Sequence, residues 1–206
     1  MKNSITAAME SISNIYKRFV YDQAVVVIYK CSNKEPSEVK TKKPIEIANV
    51  TSENVNDALV YEPEVKVNEF KRFLHEGDCG FYAYLNYQYI HRSWVTFGPK
   101  TETLWKGCVP LKIKKNEAFI RWGETVPSAR GMGVSPYVLS HIVNLLSDRV
   151  EVFYISTTDD NVASKKGIEK VGFSLLSRCK AKKFLGLKFE KNSQKISGQY
   201  RSVDNT

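Results

Sequence analysis

The most informative part of this chain is the stretch Ala118-Phe119-Ile120-Arg121-Trp122-Gly123-Glu124-Thr125-Val126-Pro127-Ser128-Ala129-Arg130-Gly131-Met132-Gly133-Val134-Ser135. Its first half has the character of a strand and ends at a proline, and an apolar segment with helical spacing follows it. Gly131 and Gly133 allow a tight turn that exposes several backbone amides. A helix that begins here adds its own unpaired amides and the positive end of its dipole. The stretch therefore predicts a strand, a turn and a helix that together hold a phosphate or pyrophosphate.

A second motif lies further along the chain, as Asn161-Val162-Ala163-Ser164 followed by Ile168-Glu169-Lys170-Val171-Gly172-Phe173. In this order and spacing, the two motifs resemble the signature of the GNAT superfamily of acyl-CoA-dependent N-acyltransferases. That signature is Arg/Gln-x-x-Gly-x-Gly/Ala, followed by Asn-x-x-Ser/Ala and a Glu-Lys-x-Gly-Phe ending. The resemblance covers residues 79–189 and is looser before them. Within the superfamily it is nearest to the acetyltransferases of surface-polysaccharide gene clusters, on three segments: Tyr16-Lys17-Arg18-Phe19, His91-Arg92-Ser93-Trp94-Val95 and Thr125-x-Pro127-x-x-Arg130-Gly131.

The composition is that of a soluble globular protein, because 42% of the 206 residues are hydrophobic and 26% are charged. No apolar run reaches the roughly 18 to 20 residues that a membrane span needs. The first residues also lack the apolar core of a signal peptide. The cysteines 31, 79, 108 and 179 are scattered, which argues against a metal site or a disulfide framework. We therefore expect a cytoplasmic protein without a metal ion.

Positive charge is concentrated near the end of the chain. The net charge is +9, and residues 161–206 hold eleven Lys and Arg against three Asp and Glu. Such a region could attract nucleic acid, an anionic lipid surface or a phosphorylated ligand, and an ordinary solvated face is an equal alternative. We expect one GNAT-like domain over 1–190, with a looser N-terminal part over 1–44 and a basic, disordered tail over 191–206.

The periodicity of apolar residues predicts helices and strands in an α+β order. Helices are predicted over 4–19, after Ser52 as an N-cap, and over 65–75, 134–146 and 161–171. Strands are predicted over 24–29, 45–50, 111–113, 118–126 and 150–155. Two pairs of strands are also predicted, one within 80–97 that turns at 86–88 and one within 173–189. Residues 31–43 are predicted to be a loop. The resemblance implies a mixed, mostly antiparallel central sheet that is flanked by helices and has splayed central strands.

The resemblance also assigns residues to acyl-CoA. It implies that backbone amides of the turn hold the pyrophosphate, from Arg130, Gly131, Met132, Gly133, Val134 and Ser135. It places Glu124, Thr125 and Val126 where the central strand splays and its backbone pairs with the pantetheine. It places Asn161 and Ser164 on pantetheine-contacting positions, although Asn161 is also a common type of helix N-cap.

The chemistry implied is direct attack of an amine on a thioester, which needs a base, an oxyanion donor and in some enzymes an acid. A free backbone N–H of the splayed strand could be the oxyanion donor. Many members carry a Tyr acid at the position of Ile168, so that acid is missing here. Candidate bases are Glu117, where some members have a catalytic Glu, and His91, whose side chain normally titrates near pH 6.5. Glu124 is a third candidate.

These observations predict an N-acetyltransferase that uses acetyl-CoA in a ternary complex, with an amino-sugar nucleotide as the favoured small-molecule acceptor. A protein or aminoglycoside N-acetyltransferase is an alternative. A catalytically degenerate GNAT fold that serves as a binding module is an alternative of another class. Nucleic acid is not an obligatory partner, and a homodimer stays open.

Overall fold

The computed structural model describes residues 21–33, 38–41 and 43–195. The helix predicted over 4–19 and the end of the predicted tail, 196–206, lie outside them. The described strands are Tyr21–Ser32 (β1), Ile45–Asn49 (β2), Cys79–Leu85 (β3), Gln88–Phe97 (β4), Lys100–Leu104 (β5), Val109–Ile113 (β6), Glu117–Thr125 (β7), Val152–Thr158 (β8), Ser174–Phe184 (β9) and Leu187–Lys195 (β10). The α-helices are Glu64–His75 (α1), Val134–Leu146 (α2) and Val162–Lys170 (α3), and short 3₁₀ helices span Val55–Val60 and Pro127–Ala129.

Eight of these strands form one sheet in the order β10-β9-β1-β8-β7-β4-β3-β2. Every neighbouring pair is antiparallel except β7 and β8, which are parallel. The prediction of a mixed, mostly antiparallel sheet is therefore confirmed. Strands β5 and β6 pair with each other as a separate hairpin.

The two faces of the sheet are covered by different elements. Trp94 of β4 stacks on Phe70 of α1, with ring centroids 5.4 Å apart. Phe81 of β3 points to the other face and meets His141 of α2. The β5–β6 hairpin packs its apolar side chains on the same face as α1, against residues such as Phe119 of β7. We refer to the two sides as the α1 face and the α2 face.

Helix α2 has the bounds that the sequence predicted, because its apolar side chains recur at helical spacing and its ends are well marked. Gly133 precedes it in the left-handed conformation, with φ of 76°. Pro136 lies in the first turn, where a missing amide does no harm. Val138, Ile142 and Leu146 are buried against the sheet. No helix among the described residues is long and apolar enough to cross a membrane.

Several predicted boundaries need correction. Ser52 is not an N-cap: the turn there is closed by Asn54, whose side chain accepts from the Thr51 amide and donates to the Asn49 carbonyl. Strand β5 was not predicted, because its sequence is mostly polar. Strand β10 extends to Lys195 through backbone pairing with β9, so strand structure continues past the boundary at 190 that was predicted for a disordered tail. Strand β1 extends to Ser32, into the predicted loop over 31–43.

Strand β1 occupies an unexpected place in the sheet. It lies between β8 and β9. It pairs with β8 from Val26↔Thr158 to Ser32↔Val152 and with β9 from Tyr21↔Phe184 to Lys30↔Ser174. Its central residues are buried on both faces, which is typical of an interior strand. The N-terminal strand thus connects the C-terminal hairpin β9–β10 to the rest of the sheet.

Candidate functional site

Strands β7 and β8 pair over a short distance and then separate. Their parallel register runs from Glu117↔Val152 to Ile120↔Ile155 and stops there. Beyond it, β7 stays paired with β4 and β8 stays paired with β1. The splayed central strands implied by the resemblance are therefore present, and they leave a V-shaped gap at the centre of the sheet.

The backbone of Thr125 faces this gap. The amide of Val126 donates to the carbonyl of Ile90 in β4, over 2.9 Å. Since successive residues of a strand turn their backbone groups to opposite sides, the amide and carbonyl of Thr125 point away from β4. The Thr125 carbonyl accepts from Nε of Arg130, over 3.1 Å. The Thr125 amide is thus a donor directed into the gap.

A β-bulge precedes Thr125. Trp122 has a positive φ of 56°, and the register between β4 and β7 shifts between Arg92 and Trp94. Arg92 donates from Nη1 to the Trp122 carbonyl. A buried guanidinium therefore holds the bulge in place, and the bulge turns the end of β7 away from β8.

A cavity of about 680 Å³ lies over the gap on the α2 face. Ten residues singled out from the sequence line it: His91, Glu124, Thr125, Arg130, Gly131, Gly133, Val134, Ser135, Asn161 and Ser164. Val126 and Met132 are not among its lining residues.

The turn between β7 and α2 presents backbone donors to this cavity. Gly131 and Gly133 have φ of 78° and 76°, and an added Cβ on either would point into open space. The amides of Arg130 and Met132 bond to carbonyls within the turn. The first amides of α2 have no carbonyl partner within the helix. Together with the helix dipole, they suit an anion.

Helix α3 brings a second N-terminus to the same cavity. The side chain of Asn161 caps it by accepting from the Ser164 amide, over 3.1 Å. A Cβ on Gly167 would lie 3.7 Å from Pro136, so α3 and the start of α2 approach closely. Two helix N-termini and the free edge of β7 therefore line one cavity.

His91 lies at the cavity but is buried and hydrogen-bonded on both ring nitrogens. Nδ1 is 2.7 Å from the hydroxyl of Thr125, and Nε2 is 2.9 Å from that of Ser93. Burial, helped by the neighbouring charge of Arg92, lowers the pKa of His91 to about 3. His91 therefore does not titrate near pH 6.5, as its residue type predicts, and its ring is neutral at physiological pH. A neutral ring with so low a pKa is a poor proton acceptor.

Glu117 does not lie at the cavity. It begins β7 and is eight residues from Thr125, which corresponds to about 26 Å along an extended strand. Its carboxylate accepts from the amide of Lys114. The structure thus separates the two catalytic candidates, because a strand places its first and last residues at opposite ends of the sheet.

Glu124 belongs to a charged cluster that the sequence did not predict. Arg92 donates to Glu124 over 2.6 Å and to Glu62 over 2.7 Å, and only 2% of its side chain is exposed. Lys66 lies 2.9 Å from Glu62 and 3.8 Å from Glu124. Burial acts to raise the pKa of Glu62, but hydrogen bonds from Lys66 and Arg92 outweigh it and lower that pKa. The sequence does contain one indication of this cluster, which is the single Arg92 in a strand of aromatic residues. A buried arginine is almost always paired with a carboxylate.

Ile168 is buried in α3, so no hydroxyl occupies the position where many GNAT enzymes carry their Tyr acid. Thr125, Ser135 and Ser164 supply the hydroxyl groups among the predicted residues that line the cavity. No disulfide joins the four cysteines, which all lie among the described residues.

Comparisons with known proteins show the fold. No protein-family model matches the chain, and no curated protein matches it. A functionally unknown conserved protein from Staphylococcus epidermidis is similar, with a TM-score of 0.55 and 14% identity over 84% of this chain and 65% of that one. A GNAT-family acetyltransferase from Colwellia psychrerythraea has a TM-score of 0.54 and 16% identity over 75% of this chain and 53% of that one.

A third similar structure is the glucosamine N-acetyltransferase region of a fungal multi-domain β-N-acetylglucosaminidase. Its TM-score is 0.58 and its identity 10%, over 85% of this chain and 22% of that one. The chain spans less than two thirds of the length of each of these three relatives. At such identities the likeness concerns architecture, and the chain has the fold of the GNAT acetyltransferases.

Proposed function

We propose that this protein is an N-acetyltransferase that transfers the acetyl group of acetyl-CoA to an amine of a small acceptor. The observation that carries the proposal is a cavity that is lined by two helix N-termini and by a free strand edge. The helix N-termini suit the pyrophosphate of CoA, and the strand edge suits the amide groups of pantetheine.

Each part of the site has a role in this proposal. Because the amides of Arg130 and Met132 are used within the turn, those of Gly131, Gly133, Val134 and Ser135 bind the pyrophosphate. Of Glu124, Thr125 and Val126, Thr125 turns its backbone to the pantetheine, because Val126 bonds to β4, and Asn161 and Ser164 border the same channel. The Thr125 amide, which points into the gap, donates to the thioester oxygen as negative charge develops on it.

His91 is a positioning residue in this proposal. It bonds the Thr125 hydroxyl and so holds the residue whose amide meets the thioester. Glu124 lines the cavity, but Arg92 occupies one of its oxygens. Attack by a neutral amine then gives the amide directly, in a ternary complex without a covalent enzyme intermediate.

We favour an amino-sugar nucleotide as the acceptor. The resemblance to polysaccharide acetyltransferases supports it, as does a structural relative that acts on glucosamine. A binding module without turnover is the competing function, and the observation in its favour is the apolar Ile168 at the usual acid position.

The test is calorimetry with acetyl-CoA and dephospho-CoA. We expect the wild-type protein to bind acetyl-CoA and Gly133→Glu to abolish binding, because the new carboxylate would repel the pyrophosphate. Gly77→Glu is the matched control: Gly77 has a similar φ of 83° and open space, but it ends α1 away from the cavity. Absence of wild-type binding at millimolar acetyl-CoA would overturn the proposal, and binding without turnover on any amine would favour the binding module.

A further inference from the structure

A second cavity lies across the sheet from the first, on the α1 face. It measures about 210 Å³ and is lined by residues of the β5–β6 hairpin and of the strands beneath it. Arg121 and Ser156 line it, and they directly follow Ile120↔Ile155, the last paired residues of β7 and β8. The cavity therefore opens at the apex of the gap between the two strands.

The two cavities lie on opposite faces of the sheet at the β-bulge. Gly123 lines the large cavity on the α2 face, and the preceding residue, Trp122, lines the small one. A thioester held in the gap from the α2 face would thus be approached from the α1 face through the small cavity.

One polar group of the small cavity, the carboxylate of Glu102, accepts no hydrogen bond from the described residues. Its side chain is 20% exposed, and its nearest cations, Lys100 and Arg121, are both 3.7 Å away. Arg121 itself is turned to Asp78, to which its Nη2 donates. Since buried polar groups are nearly always satisfied, a carboxylate without a hydrogen bond in a cavity points to a ligand with a donor group.

The walls of the cavity narrow the class of ligand. Trp105 and Trp122 line it, and the edge contacts of Trp122 with Phe73 leave 40% of the residue exposed. Aromatic walls suit the apolar face of a ring, and the hydroxyl of Ser156 suits a polar substituent. A volume of about 210 Å³ is below that of typical drug-sized ligand sites, so it accommodates one ring and not a larger part of a ligand.

We propose that this cavity binds the acceptor of the acetyl group, and that the acceptor is a hydroxylated primary amine with the size of one amino-sugar ring. This inference rests on the proposed function. Glu102 accepts a hydrogen bond from the amine, and the hydroxyl of Ser156 bonds one of its hydroxyl groups. The positive charges of Lys100 and Arg121 beside Glu102 disfavour polycationic acceptors.

The reaction balances as follows. The acceptor arrives as an ammonium ion and gives one proton to Glu102, which passes it to solvent. The neutral nitrogen attacks the carbonyl carbon, the C–N bond forms, and the C–S bond breaks with its electron pair on sulfur. The second nitrogen proton goes to the departing thiolate. The products are the N-acetyl amine, CoA as the thiol, and one proton released to solvent.

Kinetics of Glu102→Gln and Ser156→Leu test the proposal with D-glucosamine as the probe. We expect Glu102→Gln to lose about 10²–10⁴-fold in turnover. We expect Ser156→Leu to raise the KM for the amine about tenfold or more by filling the cavity. Calorimetry should show unchanged acetyl-CoA affinity in both. Lys112→Gln is the control, because it removes a charge from an exposed residue of the same hairpin.

A readout without turnover is the indole ¹H–¹⁵N spectrum, since the chain has three tryptophans and two of them line the cavity. We expect glucosamine to shift the signals of Trp105 and Trp122, assigned by Trp105→Phe, and to leave that of Trp94 in place. Shifts caused by a lysine peptide and not by glucosamine would overturn the acceptor class. Wild-type kinetics in both variants, or no indole shift with any amine, would overturn the site while leaving acetyl-CoA binding as separate evidence for the proposed function.

Discussion

His91 and Thr125 face each other across β4 and β7, with Nδ1 of the imidazole 2.7 Å from the threonine hydroxyl. The other ring nitrogen bonds Ser93, so the ring is fixed on both sides. The last residue of the free strand edge is thereby anchored by a side chain that carries no charge at neutral pH. The role of His91 in holding Thr125 can therefore be tested by measuring stability as well as activity.

The first prediction concerns the pH dependence of stability. The pKa of His91 is lowered to about 3 in the folded protein, against about 6.5 when unfolded. The unfolded state therefore binds the proton first, and stability falls as pH drops below 6.5, by up to about 1.4 kcal/mol per pH unit. Urea unfolding at pH 7 and pH 5 should show a smaller loss in His91→Gln than in wild type. His141, whose pKa burial also lowers, adds to the effect, and exposed His75→Gln is the control. Equal losses in all variants would contradict the assignment.

The second prediction concerns the hydroxyl of Thr125. Thr125→Val leaves a buried ring nitrogen of His91 without its partner, which should cost about 1–3 kcal/mol of unfolding free energy. Thr125→Ser keeps the hydroxyl and should cost less. We also expect weaker acetyl-CoA binding in the valine variant, measured by calorimetry. A valine variant as stable as the serine variant would mean that the hydrogen bond contributes little.

The third prediction concerns the pair of Arg92 and Glu62. Their side chains are 2% and 3% exposed, and removing one partner of such a buried pair should cost about 3–5 kcal/mol. We expect Arg92→Met and Glu62→Gln each to destabilise strongly, and the double variant to lose less than the sum. Arg72→Ala is the control, because Arg72 pairs with Glu69 on an exposed helix surface and should matter little. Strict additivity in denaturant unfolding would argue against coupling.

The fourth prediction concerns Glu117. Because it lies at the end of β7 away from the cavity, Glu117→Gln should keep near wild-type turnover and acetyl-CoA affinity. A loss of about 100-fold or more in turnover, the size expected for removal of a general base, would restore Glu117 as a catalytic candidate.

The fifth prediction concerns the C-terminal region. Ending the chain after Glu190 cuts through β10 and exposes the edge of β9, so we expect a lower melting temperature. Ending it after Lys195 preserves the strand and should leave turnover unchanged. A strongly salt-dependent affinity for single-stranded RNA or DNA in the second truncation would point instead to nucleic-acid binding through the basic residues that remain.

Local patterns in the sequence were sufficient for much of this structure. Helix α2 was predicted with its full bounds because glycines mark its start and apolar residues repeat along it. The turn at Gly131 and Gly133 was predicted because two glycines directly before an apolar helix allow the backbone to turn tightly. Both inferences depend on neighbours within a few residues, where periodicity and backbone preference are informative.

Features that depend on distant partners were not predicted. The pairing of Arg92 with Glu62 joins residues that are remote in sequence, and nothing near either one indicates the other. The pKa of His91 depends on burial, which the type of residue does not reveal. Strand β5 carries Glu102 in a polar sequence whose burial comes from the sheet beneath it. The position of β1 is set by its partners β8 and β9, which lie far along the chain.

The position of β1 has a consequence for the order in which the protein assembles. Synthesis produces this strand well before both of its neighbours, so its backbone groups stay unpaired until the last third of the chain has emerged. Long-range pairing of this kind slows folding, because the entropy of closing a large loop is lost before any stabilising contact forms. The C-terminal hairpin can join the sheet only after β1 has docked on β8. Completion of the sheet is therefore a late event, and a delayed β1 would leave the edge of β8, beside the gap that forms the candidate active site, open to pairing with another chain.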